Sequence, residues 1–269
     1  MAGTFTPTGS MSSGRVNHTA TLLADGTVLV VGGYVYSDAV TGDVVVTSAE
    51  RYDPVAGSFA LAGSPVSPRD LHTATLLNDG RVLVAGGVGY DIIYNSPTNA
   101  ERYDPVAGAF ATTGNPITNR VYGTATLLSD GKVLFAGGID VNEEWSVAGA
   151  ELYDPTSGAF AATGSLGSRW AAHLATRLNN RLVLIVGEID NYGVDVTWAT
   201  AELYDPQAGT FAPTSSMAPG TATLGETWGR AWATATLLAD GLDVLIAGGS
   251  NFSAGGAGVF DSAELYEYQ

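Results

Sequence analysis

The chain has 269 residues, only 14% of them charged, with 35 glycines, no cysteine and a formal net charge of −16. An acidic chain with a single lysine repels phosphate backbones and anionic lipid, which argues against nucleic acid or membrane as partners. Without cysteine there are no disulfides, thiolate metal sites or cysteine nucleophiles, and no apolar run reaches membrane-spanning length.

At the N-terminus no basic segment precedes an apolar core, so the sequence as written carries no signal peptide and is expected to be cytoplasmic unless trimmed from an exported precursor. Arg15 to Leu23 alternates and is β-branched enough for a strand. Asp25-Gly26 then suits a two-residue hairpin turn of the left-handed type. Thr27 to Val31 is an apolar run expected to be buried on both faces, and Gly32-Gly33 ends it where backbones approach closely. After a variable loop, Ser48 to Tyr52 forms a third strand. Asp53-Pro54 with Gly57 makes the next turn, and Phe59 opens a fourth strand.

This unit recurs. The frame Ala-Glu-x-Tyr-Asp-Pro, closed by a glycine and an aromatic, runs from Ala49 to Phe59, Ala100 to Phe110, Ala150 to Phe160 and Ala201 to Phe211. Its first half returns at Ala263 to Tyr266, and the missing half stands at Ala2 to Phe5. The frame glutamates lie at 50, 101, 151, 202 and 264, in steps of 51, 50, 51 and 62, which argues for one closed array. Asp79-Gly80, Asp130-Gly131 and Asp240-Gly241 repeat the first turn, and Gly86-Gly87, Gly137-Gly138 and Gly248-Gly249 repeat the diglycine.

A diglycine after an apolar run, then Tyr52, Tyr103, Tyr153, Tyr204 and Tyr266 in register, resembles kelch repeats, particularly the bacterial type seen in the central domain of galactose oxidase. The resemblance implies an all-β, five-bladed β-propeller with four antiparallel strands per blade. The blades would cover roughly 10–63, 64–114, 115–164, 165–215 and 216–269 plus 1–9, one domain over 1–269. Kelch propellers more often have six or seven blades. Closure would come from strand exchange, with Thr4 to Thr8 beside Ala263 to Tyr268. The copper chemistry of galactose oxidase does not carry over, because its site needs a cysteine crosslinked to tyrosine; no cofactor is expected.

Propeller topology places the diglycine loops and the entries to the first strands on one face. Arg15, Arg69, Arg120, Arg169 and Arg230 stand at those entries. They suit either an anion-binding ring or structural pairing with Glu50, Glu101, Glu151, Glu202 and Glu264. The five loops hold no lysine or arginine, and they interleave acids with aromatics such as Trp145, Tyr192 and Trp198, which suits polyols or organic cations. His18, His72 and His173 occupy equivalent positions, and no metal site is expected from them.

Blade four departs most from the frame. The diglycine becomes Gly187-Glu188, the hairpin turn becomes Asn179-Asn180, and Trp170 follows an arginine that sits one residue early. The interval from Phe211 to Arg230 spans 19 positions where the first three such intervals span 10, and it carries Glu226 and Trp228 with Trp232 just beyond. Trp170, Trp198, Trp228 and Trp232 are thus expected at one junction, where indoles would desolvate Glu188 and raise its pKa.

Three readings follow. The first is a monomeric binding module with one asymmetric pocket, weighted to blades four and five, for a small neutral or cationic ligand such as a sugar. The second is a non-redox enzyme, a lyase, isomerase or cyclase, with Glu188 as general acid or base partnered by Asp190, Glu226 or His173. The third is an interaction domain that takes an acidic peptide on the arginines.

Overall fold

The computed structural model describes residues 3–35, 44–89, 99–189, 197–218, 220–221, 227–228, 232–251, 258–259 and 261–268. Among these no helix occurs, and every sheet is antiparallel. The chain gathers into two compact units, Met1–Gly114 and Asn115–Gln269.

The first unit holds two meanders. Repeat one runs β1 (Thr19–Leu22) and β2 (Val28–Val31), then a small hairpin of β3 (Tyr34–Val35) and β4 (Val44–Val45), then β5 (Ala49–Asp53) and β6 (Ser58–Leu61), with sheet order β1-β2-β5-β6. Repeat two runs β7 (Thr73–Leu76), β8 (Val82–Ala85), β9 (Glu101–Asp104) and β10 (Ala109–Thr112) in the same order.

The second unit opens with β11 (Arg120–Val121). Repeat three follows as β12 (Thr124–Leu127), β13 (Val133–Ala136), β14 (Ile139–Asp140), β15 (Trp145–Ser146), β16 (Gly149–Asp154) and β17 (Ala159–Ser165); β11, β14 and β15 form their own small sheet. Repeat four is β18 (Leu174–Arg177), β19 (Val183–Ile189), β20 (Thr197–Asp205) and β21 (Thr210–Pro213), followed by the hairpin β22 (Gly220–Thr221) and β23 (Thr227–Trp228). Repeat five is β24 (Thr234–Leu237), β25 (Val244–Ala247), the hairpin β26 (Ser250–Asn251) and β27 (Gly258–Val259), and β28 (Ala263–Tyr266). Its sheet, β24-β25-β28, has no further strand on the outer side of β28 among the described residues.

Apolar alternation in the second strands explains how sheets stack. Leu29 and Val31 of β2 join Val82, Val84 and Tyr103 of repeat two in one core, sheet against sheet. In β19, Val183 and Ile185 face repeat three while Leu184 and Val186 face repeat five, so a strand buried on both faces serves two cores. The frame tyrosine lies opposite the frame aromatic, with ring centroids of Tyr52 and Phe59 4.9 Å apart and of Tyr204 and Phe211 4.7 Å apart.

The Asp-Pro turn forms as its residues require. Asp53 Oδ1 accepts the N–H groups of Val55 and Ala56 at 2.8 and 3.1 Å, and Gly57 takes a φ of +62° while donating to the Asp53 carbonyl at 2.8 Å. The Asp-Gly turn differs from expectation. Gly26 donates to the Leu23 carbonyl at 3.0 Å, Leu23 donates to Thr27 at 2.8 Å, and in this turn only Gly26 has positive φ. That is a three-residue loop, a type I turn followed by a left-handed glycine. In repeat four the left-handed place falls to Arg181, at φ +80°, rather than to either asparagine.

The first strands are also shorter than expected. Arg15 to Leu23 is broken at Asn17, whose φ is +53°. Leu71, Tyr122, Ala172 and Trp232 repeat the break at φ values of 56°, 56°, 52° and 51°. Of these five only Asn17 has a side chain that favours a left-handed backbone; at Asn17, Leu71 and Ala172 the hydrogen bonds of Val16 with Tyr34, Asp70 with Val88 and Ala172 with Tyr122 hold the chain at the break. Thr4 to Thr8, expected as an outer strand, carries no ladder of its own. Thr8 Oγ1 lies 2.7 Å from the Tyr52 hydroxyl and Gly9 donates to Gly57 at 2.8 Å, the same two contacts that Thr163 and Gly164, at the end of β17, make with Tyr204 and Gly209.

Candidate functional site

Three frame arginines are built into their own repeats. Arg69 Nη2 donates to Glu101 Oε1 at 2.6 Å and Nη1 to the Gly86 carbonyl at 3.0 Å, with the Asn99 carbonyl also at 3.0 Å. Arg15 does the same with Glu50 at 2.6 Å, Gly32 and Ser48; Arg120 does so with Glu151, Gly137 and Gly149. All three arginines and glutamates are buried, and each glutamate also accepts backbone N–H groups, such as Val66 and Ser67 onto Glu101 at 2.6 and 3.1 Å. Of the two arrangements open to these arginines, pairing within the repeat is the one they adopt. Each guanidinium ties the diglycine to the start of the third strand.

Repeat four breaks the pattern. Arg169 is exposed, and Trp170 stands where Arg69 does: three residues before the histidine, with its carbonyl accepting Gly138 N–H at 2.6 Å as Arg69 accepts Gly33 at 3.0 Å. Trp170 is buried in the core between repeats three and four, donates its indole N–H to Ser168 Oγ at 2.5 Å and meets His173 edge-on. It does not belong to the junction of repeats four and five, where the sequence spacing put it. Among the described residues Glu202 therefore has no guanidinium partner; it accepts Gly167 N–H at 2.9 Å, and burial pushes its pKa up against that bond.

The histidines are joint residues. His72 Nε2 lies 2.9 Å from Thr19 Oγ1 of repeat one, and His173 Nε2 lies 3.0 Å from Thr124 Oγ1 of repeat three. Burial pushes His72 down to about 3, helped by the charges of Arg69 and His18, and His173 down to about 3, helped by Arg120. His173 thus lies buried in the joint between repeats three and four, bonded to Thr124 and held neutral by its surroundings. Among the described residues no three His, Cys, Asp or Glu side chains stand close enough to hold a metal ion.

The Glu188 sector is placed by its backbone. Instead of ending at the glycine, β19 continues through a register shift at Gly187 and pairs Glu188 with Trp198 and Ile189 with Thr197. The insertion supplies the β22–β23 hairpin, in which Gly220 pairs with Trp228, and β23 lies against β20. Trp232 is 45% exposed at its left-handed position. Trp145, 51% exposed, pairs with Asp140 on the hairpin of repeat three. Asp190, Tyr192, Glu226 and Arg230 lie outside the described residues.

Two carboxyls were missed in sequence. Glu202 is one, hidden because Arg169 appeared to complete its pair; counting back three residues from His173 would have exposed the substitution. Asp70 is the other. It is buried between repeats one and two, held by the Asn17 side chain and the Leu71 N–H, and burial pushes it up to about 6. Val16, Val121 and Ala171 occupy its position elsewhere.

No family model matches the sequence, and no curated protein matches it. Among solved structures, "Structure of YjhT" is similar with a TM-score of 0.72 at 16% identity, over 95% of this chain and 82% of that one. At that identity the likeness is one of fold. Together with the repeated antiparallel sheets it supports a β-propeller-like all-β architecture.

Proposed function

We propose that the chain is a five-bladed, kelch-type propeller serving as a binding module for a small neutral or cationic organic ligand such as a sugar, held in the sector of repeats four and five. The observation that carries this reading is the extension of β19 and β20 beyond the diglycine, which pairs Glu188 with Trp198 beside the inserted β22–β23 hairpin. A sheet prolonged on the loop face offers a rigid base for acids and indoles, the chemistry that stacks on sugar rings and accepts their hydroxyls. A ligand at a hundred times its dissociation constant stabilises the fold by about 2.7 kcal/mol. Thermal shift against a panel of sugars and amines is expected to find one. Glu188→Gly restores the diglycine, so it keeps the parent melting temperature or raises it and removes the response. Loss of stability with binding retained would make Glu188 structural and sink the reading.

Closure is the second part of the proposal. Thr4–Thr8 would pair beside β28, whose outer side carries no strand among the described residues. The hand-off from Thr8 and Gly9 to repeat one, matching that from β17 to repeat four, supports it. Deleting residues 1–9 is then expected to lower the melting temperature sharply or cause aggregation, because an open edge recruits other chains. A truncated protein that melts like the parent would refute ring closure by this segment.

A further inference from the structure

Repeat four keeps its frame glutamate and discards the cation that serves it in repeats one to three. Glu50, Glu101 and Glu151 each accept an arginine and at least one backbone N–H. Glu202 accepts one N–H, from Gly167, at 2.9 Å. It is nevertheless buried, at 6% exposure, on a strand flanked by β19 and β21. Its donor, Gly167, is itself exposed, so the carboxyl lies next to solvent on that side.

The local sequence favours that opening. Gly167 stands where Val66 and Ile117 donate the equivalent N–H in repeats two and three, and a side-chain carbon at 167 would come within 2.8 Å of Glu202 Oε1. Trp170, at the arginine's place in the repeat, packs into the core between repeats three and four and turns its indole N–H to Ser168 rather than to the carboxyl. Among the described residues, repeat four thus offers the carboxyl no side-chain donor and leaves its flank free of a side chain at a glycine.

We infer that Glu202 is a seat for a cationic group, an alkylammonium or guanidinium brought by a ligand, entering past Gly167 to supply the charge that arginine supplies in repeats one to three. A buried carboxylate without a counter-ion raises the fold's energy, and a cation that reaches it gains a charge-assisted bond in a poorly solvated place. Burial already pushes this carboxyl up, which fits a group short of positive charge. The seat stands apart from the Glu188 reading, which is tested on a different residue.

Methylguanidinium and butylammonium, titrated into the intact protein by calorimetry against sodium chloride of equal ionic strength, provide the test. Both bind the parent, and affinity falls as pH drops through the titration of Glu202. Glu202→Gln weakens both at least tenfold and flattens the pH profile. Trp170→Arg puts a guanidinium back into the repeat, as Arg69 and Arg120 show it can sit, and abolishes binding while folding is kept. Arg169→Gln, a change at an exposed neighbour, leaves binding as it was. Equal binding by parent and Glu202→Gln, or no binding by the parent, overturns the proposal, and this comparison decides even if Trp170→Arg does not fold.

Discussion

Acidified from pH 7 to pH 4, the protein loses on the order of 3 kcal/mol of folding stability at each of His72 and His173. Both side chains sit neutral in the joints between adjacent repeats, with pKa values pushed down to about 3 by burial. In the unfolded chain they take up protons near the ordinary 6.5 given for the free group. Between about 6.5 and about 3 the unfolded state therefore binds more protons, and stability falls throughout that window as the pH falls. Asp70 acts in the opposite sense. Its pKa is raised to about 6, so the folded state binds more protons between there and the ordinary 3.8, and acidification returns roughly 1–2 kcal/mol after allowance for solvent screening. The histidines dominate. Urea midpoints measured from pH 7.5 to 4 are expected to fall steeply for the parent and much less for His72→Gln/His173→Gln. Parallel curves would refute the assignment.

Replacing Arg69 with leucine is expected to cost about 3–5 kcal/mol, because it strands the fully buried Glu101 carboxylate with two backbone donors and no cation. In a chain of this size that corresponds to a fall in melting temperature on the order of 10 °C. The double variant Arg69→Leu/Glu101→Leu recovers most of the loss, since well-packed apolar side chains substitute for a buried ion pair at little cost. Arg169→Leu, at an exposed site, stays within about 0.5 kcal/mol of the parent. Calorimetric melts of the four proteins check the series. A neutral Arg69→Leu would return the arginines to the ligand-facing role that their sequence position also allows.

What was legible in the sequence is what the fold repeats with the same residues. The turn from Asp53 to Gly57 and the Tyr52–Phe59 pair recur because one side chain solves one local problem each time. The left-handed break in every first strand was invisible for the converse reason. Asn17, Leu71, Tyr122, Ala172 and Trp232 share no chemistry, and the neighbouring hydrogen bonds that hold the chain at Asn17, Leu71 and Ala172 are recorded by no propensity. The two-residue turn was misjudged because Asp25-Gly26 suits both loop lengths, and only the bond from Gly26 to Leu23 selects the longer one. At the candidate site the sequence pointed to repeat four and to Glu188. It misplaced Trp170, since an adjacent arginine masked the fact that the indole had taken the guanidinium's position.

The joints between repeats carry a consequence for how such a chain is lengthened. At two joints, between repeats one and two and between repeats three and four, the diglycine of one repeat supplies the N–H and the entry to the next repeat's first strand supplies the carbonyl, as Gly33 does with Arg69 and Gly138 with Trp170. Both halves of this connector are encoded within a single period of about fifty residues. A period copied or excised whole by unequal recombination therefore arrives with a matching plug at one end and socket at the other. Gene duplication can change the number of repeats without inventing a new contact, and each copy is then free to lose its own internal arginine, as repeat four has.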